Sequence, residues 1–422
     1  MNTFTDKLQK WLSPMVNFAG SNKYFTAIRD AFSITTAFLI AGSLALILQI
    51  FVTGSGGLAG VAGFEWLANY SHIFSTINFV GVSCISLEVV AVLGYQLGKV
   101  NKTKPVITMI LSISCFLTML DQDNVGGSLG AKSLFLALIV GLTSTALFKW
   151  LMSFEKIKIK MPEGVPPMIA DSFNTLIPTM LVMLVYGLIA GILYGQAGVY
   201  INDVIYNVIQ APFTNVAESL PGLLVVLVFQ QLFWWMGIHG NNAMKGAMST
   251  FWEGGLALNA ELIAAGQVAT HWNTINFQHL FICLGGSGQV IGLAVAILLF
   301  SKRKDQKEIT KASMLPVICG IDEPLVYGLP IMLNPTYLIP FLVAPIVCGV
   351  IGYVAATSGF LQSAYIRDVS GMPMFIQQFL GYNGQVSAII LTVVCIILST
   401  LIYAPFVLLD NRMNGQETSE TK

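Results

Sequence analysis

Residues 388–409 run for 22 positions without a charged side chain. A helix needs about 20 such residues to cross a hydrocarbon core of roughly 30 Å. Residues 32–49, 134–148, 177–194, 290–300 and 337–355 form further apolar runs that reach or approach that length. Lipid offers the backbone no hydrogen-bond partner, so only helices and closed barrels can span it, and barrel strands alternate polar with apolar residues. These runs do not alternate. Only 10% of the 422 residues are charged and 55% are hydrophobic, against about 25% charged in a soluble domain. The expected fold is an all-α polytopic membrane protein with about ten transmembrane helices.

Charge placement gives an orientation. Lys99, Lys102 and Lys104, then Lys149, Lys156, Lys158 and Lys160, then Lys302, Arg303, Lys304, Lys307 and Lys311 form three basic clusters. The positive-inside rule puts these on the cytoplasmic face. Residues 51–71, 121–131 and 195–215 hold no Lys or Arg, as external loops should. Both termini are therefore expected in the cytoplasm. Residues 1–24 are polar, broken and amphipathic, without the continuous apolar core of a cleavable signal. They should lie at the membrane surface or lead into the first span.

The net charge of zero gives no argument for nucleic acid as a partner. The six cysteines lie in apolar surroundings without a CxxC pair. They read as small core residues, so neither a disulfide framework, a metal nor a cofactor is expected. The first five spans are regular, whereas residues 220–333 are repeatedly broken by Gly, Pro and polar residues. Broken helices at membrane depth persist only where they are buried or line a cavity, so the substrate site is expected in this second half.

Four segments carry chemistry. In LFWWMGIHGNN, His239 stands between Gly237 and Gly240 and before Asn241 and Asn242, a polar pocket directly after an aromatic run. Trp234 and Trp235 could stack on the C–H face of a sugar or form an interfacial aromatic belt. CLGGSGQVIGL, with Gly286 and Ser287, allows close backbone approach and exposed N–H groups around a polyhydroxylated ligand, or else tight helix packing. It lacks the Gly-Lys-Ser/Thr of a nucleotide loop. In ICGIDEPLVYGLPIMLNP, Asp322 and Glu323 form an acid pair, and Pro324, Pro330 and Pro335 deny the segment a regular helix. A charge at the bilayer centre costs about 3 kcal/mol on insertion scales, which points to a hairpin tip holding carboxylates inside protein; a cytoplasmic surface loop is the plainer reading. IKMPEGVPPMIADSF reads as a stiff linker between two halves. Glu88, within an apolar run, could be paired, protonated or pocket-lining.

With FAGSNKYFTAIRDAF, MPEGVPP, WWMGIHGNN, LGGSG and DEPLVYGLPIMLNP in hand, the chain resembles the membrane IIC component of the bacterial phosphoenolpyruvate-dependent sugar phosphotransferase system, lactose/cellobiose/diacetylchitobiose family. It departs from the family pattern in two places. IRDVSGMPMFIQQF lacks the usual Trp, and Asp322 precedes Glu323 where Asn or another residue is more common.

The resemblance implies a dimerising N-terminal half, taken as residues 25–199, and a substrate-binding transport half, residues 200–410, with two re-entrant hairpins and a cytoplasmic tail, 411–422. A homodimer in the bacterial cell membrane follows. So does elevator-like inward movement of a disaccharide of cellobiose or diacetylchitobiose type, phosphorylated at its C6 hydroxyl by a phosphocysteine on a IIB protein. Nothing after Leu409 is long enough for a fused IIB domain, so IIB is expected in trans. By motif, Glu323 and His239 take the catalytic places, Glu323 accepting from the reacting hydroxyl and His239 completing the network or taking the proton. Trp234 is the stacking candidate, and Asn242, Gly286, Ser287 and Asp322 are candidates for substrate contact. Two other function classes compete: a proton-coupled secondary sugar transporter with His239 and Glu323 as relay, and a non-transporting sugar sensor.

Overall fold

The computed structural model describes residues 22–53, 57–162, 164–235, 240–329, 331 and 334–420; the side chains of 43, 47, 242, 243, 246, 335 and 412–420 lie outside the description. The described residues are helical and contain no strand. Six helices are long and apolar enough to cross a bilayer, and two further pairs, each broken at a short bend, bring the number to eight. These helices fall short of the ten spans expected. Helix Pro105–Met119 has 15 residues, about 22 Å at 1.5 Å per residue, less than a full hydrocarbon core. The acidic segment forms only a six-residue helix, Glu323–Gly328.

The chain divides into two compact units, one ending at Asn215 and the other running from Val216. The first opens on helix Lys23–Leu48, capped by Asn22, whose Oδ1 accepts from the N–H groups of Tyr24 at 2.9 Å and Phe25 at 3.3 Å. Small residues set its packing. A Cβ on Gly81 would lie 2.5 Å from the Phe38 carbonyl oxygen and 2.9 Å from Gly42 Cα, so the backbones touch as small-residue interfaces in membranes allow. Asn78 Nδ2 donates to the Gly42 carbonyl at 3.1 Å. Helices Ile85–Val100 and Pro105–Met119 form a tight hairpin with Gly94 against Ser112 and Gly98 against Thr108. Ser112 Oγ and Ser144 Oγ, 3.0 Å apart, tie the second of these to helix Leu134–Leu151. Helix Pro167–Ala197 ends at Gly198, in the left-handed region at φ 66°.

The second unit holds a large aromatic core that includes Trp235, Trp252, Phe277, Phe281, Tyr382 and Tyr403. Helix Val290–Phe300 packs so closely on Val386–Glu420 that a Cβ on Gly292 would sit 2.2 Å from Ser399 Oγ. At the far end of this pair Asp410 Oδ2 accepts from Gln306 Nε2 at 2.7 Å and pairs with Arg303 Nη1 at 3.3 Å. Two stretches of this unit abandon the regular helix. Between Thr274 and Val290 the chain passes through a short helix, a π-turn at Gln278–Ile282 and a 3-10 turn at Ser287–Gln289. The other runs from Cys319 to Leu329, with the short helix Glu323–Gly328 inside it.

Candidate functional site

The two irregular stretches meet at a cavity of about 280 Å³, near the lower end of small-molecule pockets at about 300–1,000 Å³. One wall is the glycine-rich loop. Gly285, Gly286 and Gly288 have φ of 72°, 114° and 67°, and at Gly286 a Cβ would fall 2.2 Å from Asp322 Cβ. The sequence pattern thus serves close approach of two backbone segments. Of the two readings the sequence left open, exposed N–H groups or tight packing, the geometry fits the second: Gly286 N–H donates to the Cys283 carbonyl at 2.8 Å, Ser287 N–H to Asp322 Oδ2 at 2.8 Å, and Gly288 N–H to Gln231 Oε1 at 2.9 Å. Tyr403 Oη donates to the Gly288 carbonyl at 2.6 Å. The loop is tied to three other elements, which makes it a rigid wall.

The acid pair splits into two environments. Asp322 is 4% exposed and receives the Ser287 N–H, while its carbonyl accepts from Leu325 and Val326 to start the short helix. Glu323 begins that helix, is half-buried and lines the cavity. Pro324 stands in the first turn, where its missing N–H is harmless. Both carboxylates line the cavity, but Asp322 also braces the loop.

Trp234 is buried and lines the cavity. Trp235 points elsewhere, its Nε1 donating to the Asn334 carbonyl at 3.1 Å, so it fastens the helix Leu220–Trp235 to the start of Pro335–Thr357. Gly286, Ser287, Asp322, Glu323 and Trp234 are thus brought to one cavity. His239 lies outside the described residues, and Asn242 sits in helix Gly240–Ala264 with its side chain outside the description. Glu88 is in the other unit, on helix Ile85–Val100, with Oε2 buried and without a hydrogen-bond partner among the described residues.

Several cavity residues were not singled out in the sequence. Asn241 accepts from Gln230 Nε2 and lies 3.5 Å from Cys283 Sγ. His279, Gln377 and Gln378 also line the cavity. Behind His279 and Gln377 stands Asp368, fully buried, on which His279 Nδ1 sits at 3.3 Å and Gln377 Nε2 at 2.9 Å. The signal for this group was present in FQHLFICL and in IRDVSG, an Arg-Asp pair in an apolar chain, but the two lie about ninety positions apart. No group of three His, Cys, Asp or Glu side chains in the described residues could hold a metal. The lining thus combines two carboxylates, an imidazole, amides and an indole.

The family model "Phosphotransferase system, EIIC" matches residues 29–345. The cellobiose-specific EIIC component of Lactococcus lactis subsp. lactis is 28% identical over 99% of this chain and 100% of its own length. The lactose-specific EIICB component of Streptococcus mutans is 29% identical, covering 100% of this chain and 75% of its own. The crystal structure of the transporter ChbC, the IIC component from the N,N'-diacetylchitobiose-specific phosphotransferase system, superposes with a TM-score of 0.88 at 28% identity over 98% of this chain and 99% of that one. With its membrane-crossing helices, this makes the protein a multi-pass bacterial membrane protein. The chain belongs to the EIIC family of the phosphotransferase system, as a sugar permease of its lactose and cellobiose branch.

Proposed function

We propose that the protein binds a β-linked disaccharide of the cellobiose or diacetylchitobiose type in this cavity, carries it inward and presents its C6 hydroxyl to a phosphocysteine of a IIB protein. The observation that carries the reading is the placement of Glu323 at the mouth of a six-residue helix, lining the same cavity as Trp234 and the glycine-rich wall. Glu323 accepts a hydrogen bond from the reacting hydroxyl and orients its oxygen lone pair towards phosphorus; His239 completes the network or takes the proton. Phosphoryl transfer passes through a loose transition state, so the protein contributes mainly position and electrostatics. Trp234 stacks on the sugar. Asn242 reaches a hydroxyl, and Gly286, Ser287 and Asp322 shape the opposite wall.

The phosphoryl donor in this reading is a IIB protein acting in trans. Inward passage by an elevator-like movement of the second unit, a homodimer joined through the first, and cytoplasmic termini complete the proposal.

Membrane vesicles containing the protein test it. Accumulation of cellobiose or diacetylchitobiose should require phosphoenolpyruvate and the soluble carriers, and the internal product should be the sugar 6-phosphate. Uptake of unmodified sugar that collapses with an uncoupler would refute group translocation in favour of a proton-coupled carrier. Glu323→Gln and His239→Ala should each abolish phosphorylation while the protein still folds; full activity in either removes that residue from the mechanism.

A further inference from the structure

Glu253, Arg367 and Asp368 are 0%, 3% and 1% exposed. Arg367 pairs with Asp368 through Nη1 and with Glu253 through Nε at 3.3 Å. Burying three charges costs several kcal/mol per ion before pairing, and well-packed apolar residues commonly do as well for stability. Two carboxylates against one guanidinium also leave one negative charge in excess. Its nearest outlet is His279, whose Nδ1 lies 3.3 Å from Asp368 Oδ2. A carboxylate accepts only, so Nδ1 carries the hydrogen and Nε2 is left as the ring's free polar atom. Nε2 has no hydrogen bond among the described residues, and the ring, 24% exposed, lines the cavity.

The backbone gives a second, independent indication. His279 lies inside the π-turn Gln278–Ile282, a local irregularity frequent at functional sites; of the four π-turns among the described residues it is the one that lines the cavity. The turn is pinned by Gln378 Nε2 on the Leu280 carbonyl at 3.3 Å, and the short helix before it by Asn276 Nδ2 on the carbonyls of Ile366 and Gly381, both at 2.7 Å. Phe375, at φ 70°, starts the helix that delivers Gln377 and Gln378. Strained and buried groups converge on the orientation of one imidazole.

We propose that His279 is a specificity-determining residue of the sugar site: its Nε2 hydrogen-bonds one hydroxyl of the bound disaccharide, and Asp368, backed by Arg367 and Glu253, is the positioning residue that fixes its tautomer and direction. The inference rests on the sugar-binding reading above, and its test is separable from that reading. Equilibrium binding of cellobiose and each of its monodeoxy analogues is measured on the purified full-length protein and on His279→Ala, His279→Gln and Asp368→Asn. Wild type should bind one analogue about three- to tenfold more weakly because that hydroxyl is missing. His279→Ala should weaken cellobiose by a similar factor and bind that one analogue no worse than cellobiose, while keeping the wild-type penalties for the others. Asp368→Asn, whose amide oxygen still accepts from Nδ1, should keep the discrimination, and His279→Gln serves if the alanine variant does not fold. Equal weakening for every analogue would show a merely structural histidine and overturn the proposal, as would failure of the wild type to bind cellobiose, lactose or diacetylchitobiose. A wild type that shows the His279-dependent discrimination yet accumulates unmodified sugar in vesicles keeps this inference and refutes group translocation.

Discussion

Gly286→Ala tests whether the cavity wall depends on contact between the glycine loop and the acidic segment. Gly286 has φ 114° and ψ −171°, a region occupied almost only by glycine, costing about 1–3 kcal/mol for another residue. The new Cβ would stand 2.2 Å from Asp322 Cβ and 2.5 Å from its Cγ, so one segment must move, at about 1–3 kcal/mol. That movement strains the buried Ser287 N–H bond to Asp322, and a buried partner left unpaired costs about 1–3 kcal/mol. Gly320 is the internal control: it lines the same cavity at φ 79° but has nothing within 4 Å of an added Cβ. Gly320→Ala then carries only the backbone cost, about 1–2 kcal/mol. The two variants should differ by roughly 2–4 kcal/mol, or about 30- to 1,000-fold in the population of the intact site. Thermal denaturation in detergent, followed by size-exclusion chromatography, reads the ranking without a ligand, and labelled cellobiose binding reads it at the site. Asp322→Gly removes the clashing Cβ and should partly restore thermal stability to Gly286→Ala. Equal melting of Gly286→Ala and Gly320→Ala, or no relief from Asp322→Gly, would refute the steric argument.

Other expectations follow from the same packing. Asn276→Ala strips two buried carbonyls of their donor, and at about 1–3 kcal/mol for each unsatisfied group the apparent melting temperature should fall clearly; an unchanged value would mean water replaces the amide. Gly98→Ala places a Cβ 2.2 Å from Thr108 Oγ1 and 2.7 Å from Pro105 Cα. It should destabilise the first unit by about 1–3 kcal/mol, read by limited proteolysis of the connection between helices Ile85–Val100 and Pro105–Met119. Tyr403→Phe deletes the donor to the Gly288 carbonyl and should weaken cellobiose binding several-fold, since a buried acceptor left unpaired costs about 1–3 kcal/mol; wild-type affinity would show that the loop does not need this brace.

Much of the fold was legible in the chain because membrane insertion is a local matter. Long apolar runs must become helices whatever their neighbours, so 388–409 and 177–194 could be placed from the sequence, and the structure has helices Val386–Glu420 and Pro167–Ala197 there. The count was harder, since a 15-residue apolar helix and a broken pair look like full spans when only hydropathy is read. The glycine loop and the acid pair were visible as anomalies, and their motifs carried the family.

What only the tertiary structure decided is which atoms those anomalies use. The motif set Glu323 apart from Asp322 but could not say what folds against either; Ser287 N–H meets Asp322, while Glu323 starts the short helix, and both line the cavity. The sequence favoured Trp234 over Trp235 for stacking, but only the fold shows what Trp235 does instead, its indole donating to the Asn334 carbonyl. Nor could the sequence find His279, an unremarkable residue in an apolar run until Asp368, distant in the chain, is packed behind it. Hydrophobic length is written into each segment by itself, whereas a polar site is a set of distances between segments, and those exist only after the helices have packed.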